Sequence, residues 1–273
     1  IRDLNRIAAA GALAAGRAFN RYLEAPAHIQ RIDVREDRTR ALALLDPALF
    51  PQGCWPARYP LVWSQQLAIN ALWQELDQDG TFAINGPPGT GKTTLLRDVV
   101  AAVVVKRAKV LAKKGRQAFG HRRTIDIGQR SVPYFELDPE LTGHSIVVAS
   151  SNNGAVENLS LELPAGDAID SRWAGQTDLY ADIATELLSK SVDAPARSAW
   201  ALIAGRLGNK TNRNTFTSKF WWQTSNDDKV PGLRERLDNL KGGITQAAVP
   251  WNEALAAFTR ALEDEEIWRK RLG

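Results

Sequence analysis

Thr81-Phe82-Ala83-Ile84-Asn85-Gly86-Pro87-Pro88-Gly89-Thr90-Gly91-Lys92-Thr93-Thr94 is the stretch whose reading decides the fold expected of this chain. A short apolar segment, a glycine-rich turn and a helical pattern from Leu95 onward follow one another, the context that a phosphate-binding loop requires. Gly86, Gly89 and Gly91 lack a Cβ, so the main chain can curl and point successive N–H groups at phosphate oxygens. A helix starting near Lys92 adds the positive end of its dipole at the same place. Lys92 can reach the β- and γ-phosphates of a nucleotide, and the Thr93 hydroxyl can ligate a Mg²⁺ that bridges them. Pro87, Pro88, Thr90 and Thr94 complete the loop. The bland alternative is a flexible Gly/Pro loop with an exposed lysine, and it leaves the strand, turn and helix order unexplained. The sequence predicts binding of a nucleoside triphosphate with Mg²⁺.

At 273 residues, 44% of them apolar, the chain can bury one large core or two modest ones. No apolar run is long enough to span a bilayer: residues 99–105 are too few and are followed by Lys106-Arg107. Nothing at the start reads as a signal peptide. The lone Cys54 excludes an internal disulfide and fits a reducing compartment, so a cytoplasmic location is expected. The formal charge of +4 is small, but it is unevenly spread. Between Asp98 and Asp126 there is no acidic residue, while Lys106, Arg107, Lys109, Lys113, Lys114, Arg116, Arg122 and Arg123 are basic. Two readings stand open. These cations form a track for a phosphate backbone, or they are a solvated helix end favourably placed for the dipole.

Taken in order, the chain divides into a mostly helical segment (1–61), a nucleotide-binding core (62–164) and a helical, tryptophan-rich region (165–273). In the first segment a helix reaches residue 24 and ends at Pro26, a short strand covers 27–34, and a second helix covers 38–49. A turn-rich connector with Pro51, Gly53, Pro56 and Pro60 follows. In the core, a helix over 62–77 precedes a first buried strand at 81–85. The helix after the loop is apolar on most sides, as suits packing on a parallel sheet, and Gly115 is suited to end it. Residues 128–143 read as an irregular excursion. Residues 144–150 read as a second buried strand, which runs into Ser151-Asn152-Asn153-Gly154 and a helix over 155–163. This rhythm predicts a parallel sheet with both turns on one edge. In the last region the helices expected are 179–188, 194–207, 233–240 and 251–272. Phe220, Trp221 and Trp222 there either stack on nucleic-acid bases or belong to a core.

Three segments, in order, resemble the superfamily 1 helicases of the 5′-to-3′ group, which includes the nonsense-mediated-decay RNA helicase. Ser64-Gln65-Gln66-Leu67-Ala68-Ile69 is similar to that family's adenine-reading motif. Residues 86–93 match its motif I letter for letter, and Val148-Ala149-Ser150-Ser151-Asn152-Asn153-Gly154-Ala155-Val156-Glu157-Asn158-Leu159 looks like its motif Ia. The resemblance implies an α/β fold: a RecA-like P-loop NTPase parallel sheet, incomplete here, with the helical N-terminal segment and a helical C-terminal insertion. It implies ATP-dependent helicase or translocase activity on single-stranded DNA or RNA, with a second RecA-like domain outside this chain. By the same resemblance Gln65, or Gln66 since the doubled glutamine leaves the register open, would read the adenine edge. Ser151, Asn152 and Asn153 would face the nucleic-acid backbone; as residues they could equally cap their own helix. The family's acidic pair at the end of an apolar strand has no counterpart. Glu263-Asp264-Glu265-Glu266 sits in a helical pattern, and Glu136 and Asp138 have no buried strand ahead of them. The chain is therefore expected to be the front of a longer motor, with little hydrolysis of its own. Two other readings are an AAA+-type P-loop ATPase that remodels a protein partner, and a module that binds nucleotide without hydrolysing it.

Overall fold

The computed structural model describes residues 2–11, 16–23, 33–76, 80–87, 89–188, 198–226, 229–244 and 249–272, save the side chains of Arg2, Asp3, Leu4, Arg17, Arg21, Arg130 and Asn153. Its helices are α1 (Arg2–Ala10), α2 (Arg17–Leu23), α3 (Arg38–Leu44), α4 (Trp63–Glu75), α5 (Lys92–Lys114), α6 (Pro139–Thr142), α7 (Asn153–Glu162), α8 (Ala181–Leu188), α9 (Lys210–Thr217), α10 (Leu233–Lys241) and α11 (Trp251–Leu272). Two strands, β1 (Phe119–Ile127) and β2 (Arg130–Leu137), pair antiparallel.

The expected RecA-like parallel sheet is overturned: the molecule is mostly helical, and the hairpin is the whole sheet among the described residues. Residues 81–85 form no ladder. Phe82 and Ile84 are half-buried while Thr81, Ala83 and Asn85 are exposed, and the Thr81 hydroxyl donates to Ala18 O at 2.9 Å. Residues 145–150 are exposed throughout, with Val147 89% open to solvent. Apolar composition suits a strand to a buried sheet but supplies no neighbour for its peptide groups. The strands that do form were not expected: β2 lies within the irregular excursion expected at 128–143, and β1 lies just ahead of it. Gly128 takes φ +63° in the two-residue turn Gly128-Gln129, a conformation that such tight turns between right-twisted strands require.

Helices lie close to where periodicity places them when a cap or breaker marks their ends. Lys114 ends α5 before Gly115, and Asn152 caps α7. The helix expected through residue 24 is divided into α1 and α2, with Gly11 and Gly16 at positive φ between them. The helix expected over 38–49 stops at Leu44, because Pro47 biases Asp46 out of the helical region (ψ 125°) and a 3₁₀ turn, Pro47–Leu49, follows. Residues 198–207 are not helical. Trp200 N–H donates to Pro164 O at 2.8 Å, Gly166 N–H to Ser198 O at 2.7 Å, and Leu202 N–H to Leu179 O at 2.7 Å. Those bonds commit the segment to bridging other stretches rather than coiling on itself. The strand expected at 27–34 and its neighbour Pro26 fall almost wholly outside the described residues, as do 194–197.

The chain divides into two compact units. One comprises Ile1–Cys54, Leu61–Lys106 and Ala261–Gly273. Within it the Asn70 amide, fully buried in α4, donates to Leu44 O at 2.7 Å and accepts from Gln66 Nε2 at 2.9 Å. Without such partners a buried amide costs about 1–3 kcal/mol. Arg269 of α11 donates to Pro47 O at 2.6 Å and Phe50 O at 2.7 Å while it pairs with Glu265. Glu265 also accepts from Gln52 at 2.9 Å. The acidic run 263–266 lies within α11, helical as its pattern predicts.

The other unit comprises Trp55–Pro60 and Arg107–Arg260. It holds an edge-to-face pair, Trp55 and Trp200, with ring centroids 5.4 Å apart. Each indole N–H donates to a main-chain carbonyl at 2.8 Å, Trp55 to Ala168 and Trp200 to Leu163. Ile183, Ala184, Ala165 and Ala201 are buried in the same unit. The hairpin is tied down at its base, where Lys114 bonds Asp138 at 2.5 Å and Glu140 at 2.8 Å.

Lys114, helped by the Glu140 N–H, holds the Asp138 carboxyl below its ordinary value, and Asp138 and Glu140 raise Lys114 in turn. A depressed carboxylate contributes stability above its unfolded pKa of about 3.9 and loses it as pH falls through the folded value. Hydrogen exchange of β1 and β2 is therefore expected to quicken as pH drops below about 4, after correction for intrinsic exchange. Asp138→Asn is expected to quicken it at neutral pH and to flatten that acid dependence. An unchanged acid profile in the variant would show that the pair does not anchor the hairpin.

Candidate nucleotide-binding site

The loop 86–94 sits between the end of an unpaired segment and the first turn of α5. Lys92, Thr93, Gly89 and Thr90 are exposed, while Gly86, Gly91 and Thr94 are half-buried. Pro88 lies outside the described residues. Gly89 and Gly91 take φ of +81° and +77°, a region that other L-residues rarely adopt. The Thr90 hydroxyl donates to Pro87 O at 2.9 Å and closes the loop on itself. Leu95 N–H then donates to Gly91 O at 3.1 Å and opens the helix.

The Lys92 ammonium donates to Gly86 O at 2.7 Å and to Pro87 O at 2.8 Å. It thus lies folded over the loop, with two of its three donors on main-chain carbonyls. Gln65, in the first turn of α4, also holds the loop. Its Nε2 donates to Thr90 O at 3.1 Å and Gly91 O at 3.2 Å, and its Oε1 accepts from Val62 N–H at 3.0 Å. A Cβ on Gly91 would fall 2.2 Å from Gln65 Nε2. Glycine is required there for close approach as well as for φ. At Gly89 a Cβ would meet nothing within 4 Å among the described residues, so that side of the loop is open space there.

The structure therefore brings Gln65 together with 86–94. In the resemblance Gln65 reads adenine; here both ends of its amide are engaged by the main chain. The alternative residue, Gln66, donates to Asn70 instead. The contributions of Gln65 to holding the loop and of Thr90 to closing it are not visible in the motif. The signal for them is an amide and a hydroxyl of short reach at positions flanking a turn whose carbonyls need partners.

Ser151, Asn152 and Asn153 belong to the other unit. Asn152 Oδ1 accepts from Gly154 N–H at 3.0 Å and Ser150 Oγ from Asn152 N–H at 3.1 Å, so the capping of α7 is made. Ser151 is exposed, and the Asn153 side chain is outside the described set. Of the basic stretch, Lys114 and Arg123 pair with Asp138 and Glu136, and Lys106 lies 5.8 Å from the centre of the Trp73 ring. Arg107, Lys113, Arg116 and Arg122 are exposed. Phe220 packs with Tyr180 and Phe216 at 5.9 and 5.4 Å, whereas Trp222 is 53% exposed, with Arg234 5.2 Å from its ring centre. Asp138 follows β2, but that strand is not buried, in line with the sequence reading, and Asp138 caps α6 and binds Lys114.

Among the described residues no His/Cys/Asp/Glu group could hold a metal ion by itself, and no helix is long and apolar enough to cross a membrane. No protein-family model, curated protein or solved structure matches the chain.

Gln65→Ala is expected to cost about 1–3 kcal/mol, the worth of its loop bonds plus the orphaned groups they leave. Gly91→Ala is expected to cost more in the native chain than in the Gln65→Ala background, where the 2.2 Å clash is gone. Urea unfolding of the four species measures the coupling, and strict additivity would contradict the packing described.

Proposed function

We propose that this chain binds a nucleoside triphosphate at 86–94 and serves as the ATP-binding part of a nucleic-acid helicase or translocase. The observation that carries the nucleotide reading is the loop itself. Two positive-φ glycines, an exposed lysine at the first position of a 23-residue helix and a side open at Gly89 stand together. An ammonium resting on two neutral carbonyls can exchange them for phosphate oxygens, which are stronger, charge-assisted acceptors. The exposed Thr93 hydroxyl stands next to Lys92 for a Mg²⁺, which would supply charge neutralisation between the phosphates. The N-terminal amides of α5 favour negative charge at the same point. The helicase part of the reading rests on the motif order around Gln65, Lys92 and Asn152, with exposed Arg107, Lys113, Arg116 and Arg122 as cations for a phosphate backbone.

Titration with a fluorescent ATP analogue tests this. Saturable, Mg²⁺-strengthened binding is expected, with affinity about 10- to 100-fold lower in Lys92→Ala, the worth of a charged hydrogen bond. Retained affinity in that variant would refute the nucleotide site. Binding of a single-stranded oligonucleotide is expected to weaken steeply between about 50 and 200 mM salt. Binding that is absent or indifferent to salt would refute the nucleic-acid part and leave the nucleotide site standing.

A further inference from the structure

Every residue of β1 is exposed, and among the described residues nothing pairs with either outer edge of the hairpin. The two edges differ. Because Ile127 and Arg130 flank a two-residue turn, they form a hydrogen-bonded pair, and pair types alternate from there. Ile125 with Val132 and Arg123 with Tyr134 are then bonded pairs. Asp126 with Ser131, Thr124 with Pro133 and Arg122 with Phe135 are not. The far end agrees, since Asp138 N–H donates to Ala118 O at 3.0 Å, which again sets Pro133 in the outward series. Pro133 therefore removes a donor from the outer edge of β2 and blunts it. The outer edge of β1 keeps the N–H and C=O groups of Arg122, Thr124 and Asp126, and ends at the irregularity between Phe119 and Arg122.

We propose that this edge of β1 pairs with the same edge of a second copy of the chain, antiparallel and two-fold symmetric about Thr124. In that register Arg122 of each copy stands opposite Asp126 of the other, and Thr124 stands opposite itself. All three outward residues of each strand find partners, and the two cross-strand charge pairs are attractive. Neighbouring registers are worse. Centring on Arg122 or Asp126 places like charges opposite each other, centring on Arg123 opposes two guanidiniums, and centring on Ile125 leaves Arg122 and Asp126 without their counterparts. The edge is thus complementary to itself in one arrangement. Pairing turns an isolated two-stranded ribbon, marginal on its own, into a four-stranded sheet. It also extends an apolar face that carries Ile125 and Ile127, now 51% and 62% exposed, with Val132 and Tyr134. One strand pairing buries less than the roughly 1,200 Å² of a standard interface, so the dimer is weak, half-formed at about 0.1 mM.

Sedimentation velocity of the whole chain from micromolar to millimolar concentration tests this, with circular dichroism to confirm the fold of each variant. The native chain is expected to move from monomer toward dimer. Thr124→Pro removes an outward donor and no β1–β2 bond, and is expected to remain monomeric. Arg122→Asp and Asp126→Arg alone are each expected to weaken association at least tenfold, and together to restore it. A native chain that stays monomeric to about 1 mM, a dimer indifferent to Thr124→Pro, or a charge exchange without rescue overturns the proposal. So does an edge that takes up an oligonucleotide and no second copy.

Discussion

A peptide segment becomes a strand only when a neighbour satisfies its N–H and C=O groups, and most of this structure follows from where such neighbours exist. Residues 81–85 and 144–150 carry the apolar, β-branched composition of buried strands, yet no described segment forms a ladder with them. The residues that do pair, 119–127 and 130–137, include three arginines, a proline and a glycine. What they have is proximity. Gly128-Gln129 turns the chain back at once, so the loop-closure entropy is small and each strand finds its partner within a few residues. Local closure outweighed apolar composition.

Helices escape this difficulty because their partners are always four residues away. That is why α4, α5, α7, α8, α10 and α11 were legible from periodicity and end signals, while neither strand expected at 81–85 and 144–150 is formed. The errors among helices have the same origin in reverse. Residues 198–202 are helix-compatible by composition, but Trp200 and Leu202 give their N–H groups to Pro164 and Leu179, which are remote in sequence. Tertiary bonding of that kind leaves no periodic trace. The tryptophans illustrate it too. Trp55, in a stretch that reads as a connector, is the buried residue that stands edge-on to Trp200, while Trp222, in an aromatic run, is open to solvent.

The candidate site was legible to the extent that it is local. The curl at 89–91 depends on glycines and on a helix that begins at Lys92, all within a few residues. The grip of Gln65 on Thr90 and Gly91 spans 25 and 26 residues, and only the three-dimensional structure reveals it. The motif named that glutamine for a ligand contact, but an amide has one acceptor and two donors, and nearby carbonyls claim them when the geometry allows.

Those bonds also set how far the loop can respond to a ligand. Gln65 and Asn70 lie on the same helix. Gln65 meets the loop at the first turn of α4, Gln66 bonds Asn70, and Asn70 meets the end of α3 through Leu44 O. The grip of Gln65 consists of neutral hydrogen bonds, each contributing about 0.5–1.5 kcal/mol net, whereas micromolar affinity for any ligand corresponds to about 8 kcal/mol. A ligand that drew Lys92 away from Gly86 O and Pro87 O could therefore reshape 86–91 even if Gln65 had to let go. The buried Asn70 bond is harder to surrender, since no water replaces it. Any such rearrangement would thus be confined to the first turn of α4 and the loop, because the Asn70 bond ties the middle of α4 to the end of α3.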